Sequence, residues 1–386
     1  MTGEAYIGLA VCFRGVCVGI HLCYNRPMHP QITSPAFFIG QGNDDLISFG
    51  SGQPDLPPPP AAFKALEHYK SFKYGLVQGQ EPLRAAIAKE HPSASPDEIV
   101  VTNGASEAID LVLRAISPPA GGAGGRVALP RPYYYSYPHN VALAGMTPVY
   151  YDLERGKINF DTFEKAVQGC RAVMINSPSN PTGTVQEIET LRKIEELCNN
   201  LGIYVLSDEV YKDLIYVRQN YPMKGKRVVT INSFSKTYAM CGMRLGYFHT
   251  LDRELVERVV EMKSHTSMNT SLASQAMGLA AMGERSTYVA SHLPIWRERR
   301  DRMYEGMKKL GLDLWEPEGA FYVLPKFKNP ERVMHDLYYN YDIITYSGVW
   351  FGAPNRLRFS YALDVKKIVE GLARVGTFLQ KEYTAY

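Results

Sequence analysis

The chain of 386 residues carries 42 Lys plus Arg against 39 Asp plus Glu, a formal net charge of +3, and is 45% apolar and 21% charged. This is the composition of a folded protein of about two domains, and a charge so near zero excludes nucleic-acid binding driven by bulk positive charge. No membrane-spanning helix is expected, because no uninterrupted apolar run reaches about 18 residues. The nearest candidate, residues 5–20, contains Arg14, and Glu4 without a preceding Lys or Arg is the wrong charge for a secretory leader. Six cysteines are too few for a disulfide scaffold. Cys12, Cys17 and Cys23 crowd the start, and with no CxxC or HExxH no metal site is expected. Residues 1–44 read as an N-terminal arm in which those cysteines are small hydrophobes.

From Asp45 the pattern becomes regular. Residues 53–60 (QPDLPPPP) are too proline-rich for a helix or central strand and read as a crossing segment. A strand at 99–102 leads into a helix with Ala105, Ala108, Ile109, Val112, Leu113 and Ile116 on one stripe. Residues 117–125 (SPPAGGAGG) end that helix, and strands come next at 126–129 and 146–150. Further on come a strand at 172–175, a helix marked by Ile188, Leu191, Ile194, Leu197 and Leu201, and strands at 203–206 and 228–231. Strands alternating with helices predict an α/β fold, a mainly parallel sheet with helices on both faces. After about residue 250 long charged helices and a few strands predict a smaller α+β domain. The expected organisation is therefore an arm (1–44), a large domain (45–250) whose first residues are candidates for packing on the small one, and a small domain (251–386).

In an open α/β sheet ligands bind beyond the carboxyl ends of the strands, so the residues just past each strand are the candidates for a site. Past the first strand lie Asn103-Gly104-Ala105-Ser106, small residues at a helix N-terminus where backbone N–H groups can approach an anion. Taken alone, Asn-Gly and Ser are equally ordinary turn and cap residues. Past the others lie Tyr133-Tyr134-Tyr135, Asn176 to Gly183 (NSPSNPTG), Ser207-Asp208-Glu209-Val210-Tyr211, and Ser233-Phe234-Ser235-Lys236. An anion cradle, flat rings, an amide, a carboxylate with a phenol, and a lysine between hydroxyls suit one flat, phosphorylated, cationic heterocycle.

Residues 233–247 (SFSKTYAMCGMRLGY), with NPTG at 180–183 and SDEVY at 207–211, resemble the signature of the class I/II aminotransferases, pyridoxal-phosphate enzymes of fold type I. The resemblance covers about residues 45–377 and implies a seven-stranded-type large-domain sheet. It implies that Lys236 forms a Schiff base with pyridoxal 5'-phosphate and moves the substrate Cα proton. It further implies that Asp208 holds the pyridine nitrogen protonated, and that Tyr211 and Asn180 bond the ring's phenolic oxygen. The phosphate would fall to Gly104, Ala105, Ser106, Ser233, Ser235 and Arg244, with Tyr134 stacking on the ring. For that stacking, Tyr133 and Tyr135 are alternatives of neighbouring phase. Arg358, with Arg356 as competitor, and Gly52 would bind the substrate carboxylate, with Asn180 also among the substrate-binding residues. Tyr74 would reach the phosphate of a neighbouring subunit, making a homodimer with a composite site.

In one bacterial aspartate-specific branch a lysine in the anion-cradle motif reads the second carboxylate of the substrate. Ser106 stands at that position, and GASEAID is similar to the branch with aromatic and acyl-diaminopimelate enzymes. Trp350 is read either as a wall of the side-chain pocket or as core. The expected activity is transfer of an amino group from an L-amino acid to a 2-oxo acid, commonly 2-oxoglutarate. A C–S β-lyase on the same fold is the alternative. The expected partners are small molecules, with neither nucleic acid nor membrane, and the expected location is cytoplasmic.

Overall fold

The computed structural model describes residues 32–38, 45–91, 94–118 and 125–381. Cys12, Cys17 and Cys23, most of the expected arm, and the glycines of 121–124 lie outside the described residues. In chain order the first elements are β1 (Ile47–Ser48), α1 (Pro60–Glu67), α2 (Glu81–Ala88), β2 (Ile99–Thr102), α3 (Gly104–Ile116), β3 (Arg126–Arg131) and α4 (Tyr137–Leu143). Next come β4 (Thr147–Glu154), β5 (Lys157–Ile158), α5 (Phe160–Val167), β6 (Ala172–Asn176), α6 (Ile188–Leu201), β7 (Tyr204–Asp208), β8 (Val228–Ser233), α7 (Phe234–Thr237) and β9 (Gly246–Thr250). The remainder is α8 (Arg253–Ser264), α9 (Leu272–Gly283), α10 (Arg285–Lys309), β10 (Tyr322–Val323), α11 (Pro330–Tyr341), β11 (Ile343–Ile344), β12 (Tyr346–Ser347), β13 (Leu357–Ser360) and α12 (Val365–Lys381).

The large sheet runs β2-β9-β8-β7-β6-β3-β4-β5. Six of its strands point one way, and β9 is antiparallel to both neighbours, β2 and β8. β9 is absent from the strands expected, and its direction has a simple cause. Only residues 234–245 separate it from β8, and no long crossover helix intervenes, so the chain returns antiparallel. β5 adds a two-residue antiparallel edge to β4.

Every residue of β2, β6, β7 and β8 is buried, as a sheet covered on both faces demands. The α3 stripe (Ala108, Ile109, Val112, Leu113, Ile116) joins Tyr137, Leu255, Val256 and Val259 in one core. Leu191, Ile194 and Cys198 of α6 join Phe163 in the core on the opposite face. Gly202 ends α6 in the left-handed conformation at φ 68°, which costs glycine little.

Packing does not change at residue 250, since α8 belongs to the α3 core and Met277 and Ala281 of α9 pack with Phe234. The change comes along α10. Its Trp296, Met303 and Met307 lie in the core of the small β10-β13-β12 sheet with Phe359, Val375 and Phe378. β1 pairs in parallel with β11, and Phe49 sits in that same core. Residues 49–59 therefore form a strap between the C-terminal body and α1, and Pro60 occupies the first turn of that helix, where its missing N–H costs nothing. No helix among the described residues is long and apolar enough to cross a membrane.

Candidate active site

A cavity of about 550 Å³ opens where β6, β7 and β8 end and α3 begins. The expected site residues line it, apart from Gly104 and Tyr74. Gly104 lies directly beneath one wall. Its φ is +77°, and a Cβ there would fall 2.5 Å from Nη2 of Arg244. Gly246 is equally constrained, because a Cβ would meet the backbone of Gly104 at 2.6 Å and of Ala105 at 2.7 Å. These glycines let the α3 N-terminus come close to the turn after β8. Arg244, at φ 49°, donates to the Cys241 carbonyl at 2.9 Å. Ser233 Oγ donates to Ser235 Oγ at 2.9 Å. Helix N–H groups, two hydroxyls and a guanidinium thus converge on one corner, which is the donor set of a phosphate cradle.

Lys236 is half-buried, and its Nζ donates to the Gly52 carbonyl at 2.5 Å. Burial lowers its pKa, Cys241 and Asp208 oppose that shift, and Arg358 and Arg244 add to it. A lysine so placed sheds its proton more readily than a surface lysine. Asp208 closes β7. Burial raises its carboxyl pKa to about 6, against the stabilising hydrogen bond from Tyr137 Oη at 2.6 Å, the Val210 N–H and the Lys236 charge. Tyr211 is buried with Oη 2.9 Å from Tyr322 Oη, and burial first, then Tyr322, pushes its pKa well up, so it stays a protonated phenol.

At the opposite end Arg358 is 2% exposed. Its Nη1 donates to Asn180 Oδ1 at 3.1 Å and its Nη2 to the Gly50 carbonyl, while Nε has no hydrogen-bond partner. The guanidinium packs on Tyr322, Tyr346 and Phe351 at 4.5, 4.7 and 4.8 Å. No ion pair joins it to a carboxylate among the described residues, so a buried charge faces the cavity without its counter-ion. The competitor Arg356 lies elsewhere, bonded to the Leu324 carbonyl at 2.7 Å and packed on Trp315 at 4.4 Å.

Tyr134 and Tyr135 both line the cavity, whereas Tyr133 turns away onto Tyr150. Trp350 does not line it and packs edge-on to Tyr346 with the small-sheet core. Tyr74 is 83% exposed and outside the cavity of its own chain. Sequence reasoning missed Tyr137, Asn176, Tyr346, Cys241, Ser48 of β1 and Ser51 of the strap. Asn176 and Cys241 sat inside segments already singled out, and their orientation was the missing information.

The sequence profile of the family described as aminotransferase class I and II matches residues 44–375. The chain belongs to that family. Like its fellow class I/II aminotransferases it is a pyridoxal-phosphate-dependent transaminase of fold type I. It is 31% identical to an aspartate aminotransferase of Thermotoga maritima over 90% of this chain and 95% of the relative. A solved aspartate aminotransferase of Thermus thermophilus with maleate matches with TM-score 0.82 and 28% identity, over 86% of this chain and 91% of the other. An aromatic aminotransferase of Pyrococcus horikoshii matches with TM-score 0.82 and 29% identity, over 90% and 99%. The site of this aminotransferase fits its cofactor on its own geometry. Gly104 lets the Arg244 guanidinium come up against the α3 N-terminus, where a Cβ would block it, Asp208 offers a buried acid to a ring nitrogen, and Lys236 offers an amine to an aldehyde.

Proposed function

We propose that this aminotransferase moves an amino group from an L-amino acid to 2-oxoglutarate on pyridoxal 5'-phosphate anchored covalently by Lys236. One observation carries the reading: a single cavity sets a half-buried, easily deprotonated lysine between an anion cradle and a buried guanidinium with no carboxylate paired to it among the described residues. When bound, pyridoxal phosphate supplies an electron-accepting ring that stabilises charge developing at the substrate Cα. Lys236 accepts the Cα proton and returns it to the cofactor side. The strap's Gly52 carbonyl accepts the hydrogen bond of the free Lys236 amine. Asp208 keeps the ring nitrogen protonated, and Tyr211 and Asn180 act on the phenolic oxygen. The cradle of Gly104, Ala105, Ser106, Ser233, Ser235 and Arg244 holds the phosphate, Tyr134 covers the ring, and Arg358 with Gly52 grips the substrate α-carboxylate.

The working unit is a homodimer. Phe72 and Tyr74 are 91% and 83% exposed, with Phe63, Leu66 and Leu76 exposed nearby, and a second copy covering them brings Tyr74 to the neighbour's cradle. The two-unit division of the chain falls within α10, where packing passes from the large sheet to the small one. Aspartate and aromatic amino acids, for which the similar enzymes are named, are the donors to try first. Maleate, a dicarboxylate, is present in the Thermus thermophilus structure, which supports a dicarboxylate acceptor here.

Turnover with a donor panel tests the reading. Sustained conversion that requires 2-oxoglutarate supports it. Release of pyruvate and ammonia without an acceptor would replace it with the C–S lyase.

A further inference from the structure

Tyr322 lies behind the cavity wall, 1% exposed and outside the lining, yet it touches the parts that do the work. Its hydroxyl is 2.9 Å from that of Tyr211, with the two rings edge-on at 86°. Its ring face carries the guanidinium of Arg358 at 4.5 Å. A Cβ on Gly52 would fall 2.5 Å from its Oη, so the hydroxyl packs against the strap whose carbonyl receives Lys236. The backbone fixes this position. Tyr322 is paired with Ser360 on β13, two residues beyond Arg358, and its carbonyl faces Gly183 so closely that a Cβ there would lie 2.5 Å away. Tyr211 comes from the loop after β7, Arg358 from the small sheet and Gly52 from the strap, and one buried phenol meets all three.

We propose that Tyr322 is a positioning residue of transamination, which tunes the cofactor-facing phenol Tyr211 through its hydroxyl and holds the carboxylate-binding Arg358 through its ring. The proposal rests on the function given above. A phenol has one hydrogen to donate. When Tyr211 gives its own to the ring oxygen of the cofactor, the hydrogen between the two tyrosines must come from Tyr322. Accepting that bond makes Tyr211 a stronger donor. A stronger donor stabilises negative charge on the ring oxygen and so eases loss of the proton shared at the lysine linkage. The hydroxyl of Tyr322 therefore lowers the pH midpoint of the visible band of the loaded enzyme. Its ring acts separately, as one of three aromatic faces that keep a desolvated guanidinium in place.

Two substitutions separate the roles. Tyr322→Phe keeps the ring, so the band midpoint rises by roughly 0.3 pH unit while KM for the amino donor stays within about twofold. Tyr322→Leu removes both, giving the same spectral shift and a KM roughly tenfold higher. In a Tyr211→Phe background, Tyr322→Phe adds no further shift, because the effect travels through Tyr211. A band midpoint unmoved by Tyr322→Phe, or a shift fully additive with Tyr211→Phe, overturns the proposal while leaving the cofactor assignment intact. A wild-type protein that shows no pH-dependent visible band after incubation with pyridoxal phosphate overturns the cofactor assignment itself, and this coupling with it.

Discussion

The two ends of the cavity are built in different ways. The end proposed to hold the cofactor is a set of strand ends: Asp208 closes β7, Ser233 closes β8, and the α3 N-terminus comes directly after β2, so each group is carried by a rigid strand and the residues next to it in sequence. The substrate-facing end is assembled from distant segments. Gly50 and Gly52 lie on the strap, Arg358 on β13, Tyr346 on β12, and the Ser360 N–H donates to the Phe49 carbonyl at 2.6 Å across more than three hundred residues of chain. The groups proposed to hold the cofactor sit on the rigid sheet. Those proposed to grip the substrate α-carboxylate sit on short strands and a strap, the kind of segment that shifts at smaller energetic cost.

The sharpest way to break this contrast is to damage each end and ask what is lost. Lys236→Ala should lower kcat by roughly 10⁴-fold or more while the protein still takes up cofactor noncovalently, as read by fluorescence titration. Arg358→Leu should leave the visible cofactor spectrum near wild type but cut kcat/KM for amino acids by about 10² to 10³-fold, since it removes a forked charge-assisted contact. If both variants damage the spectrum equally, the ends are not separable.

A smaller effect concerns Asp208. Its pKa of about 6 lies above the ordinary carboxylate value, so the folded apoprotein holds that proton more tightly than the unfolded chain does. The group is therefore least costly below pH 4, and stability is lost as pH rises through about 6. Between pH 5 and 7 the melting temperature of the wild-type apoprotein should fall by roughly 1–2 °C more than that of Asp208→Asn. Equal slopes would mean that the carboxyl is not held neutral by burial. The smallest expected effect is none: removing residues 1–27, so that Met28 begins the chain, should leave turnover and sedimentation unchanged.

The same contrast explains what was legible in the sequence. β2 and the α3 stripe, and the motifs after β6, β7 and β8, could be read because apolar runs and their turn residues are local signals. The residues of the cradle come from one contiguous segment, 233–244, with 104–106. β9 was not read, because its direction depends on where β2 and β8 lie, and α1 hid behind the proline run that also supplies its first residue. Tyr137, two residues past the Tyr133–Tyr135 cluster, carries no local signal of its own, and only the fold puts its hydroxyl on Asp208. Choosing Arg358 over Arg356 rested on likeness, since period two gives both the same face. In the fold only Arg358 is part of β13, opposite Tyr346, while Arg356 falls just before the strand and bonds the Leu324 carbonyl. Tyr322 and Tyr346 left no sequence signal, because their importance comes from neighbours on other strands and on the strap.

The central claim is that Lys236 is the cofactor anchor, and reductive labelling tests it most directly. Purified protein incubated with pyridoxal phosphate, reduced with borohydride and digested should carry the pyridoxyl group on the peptide containing Lys236 and on no other lysine at one equivalent per chain. Label on a different lysine, or none after reconstitution, would contradict the account.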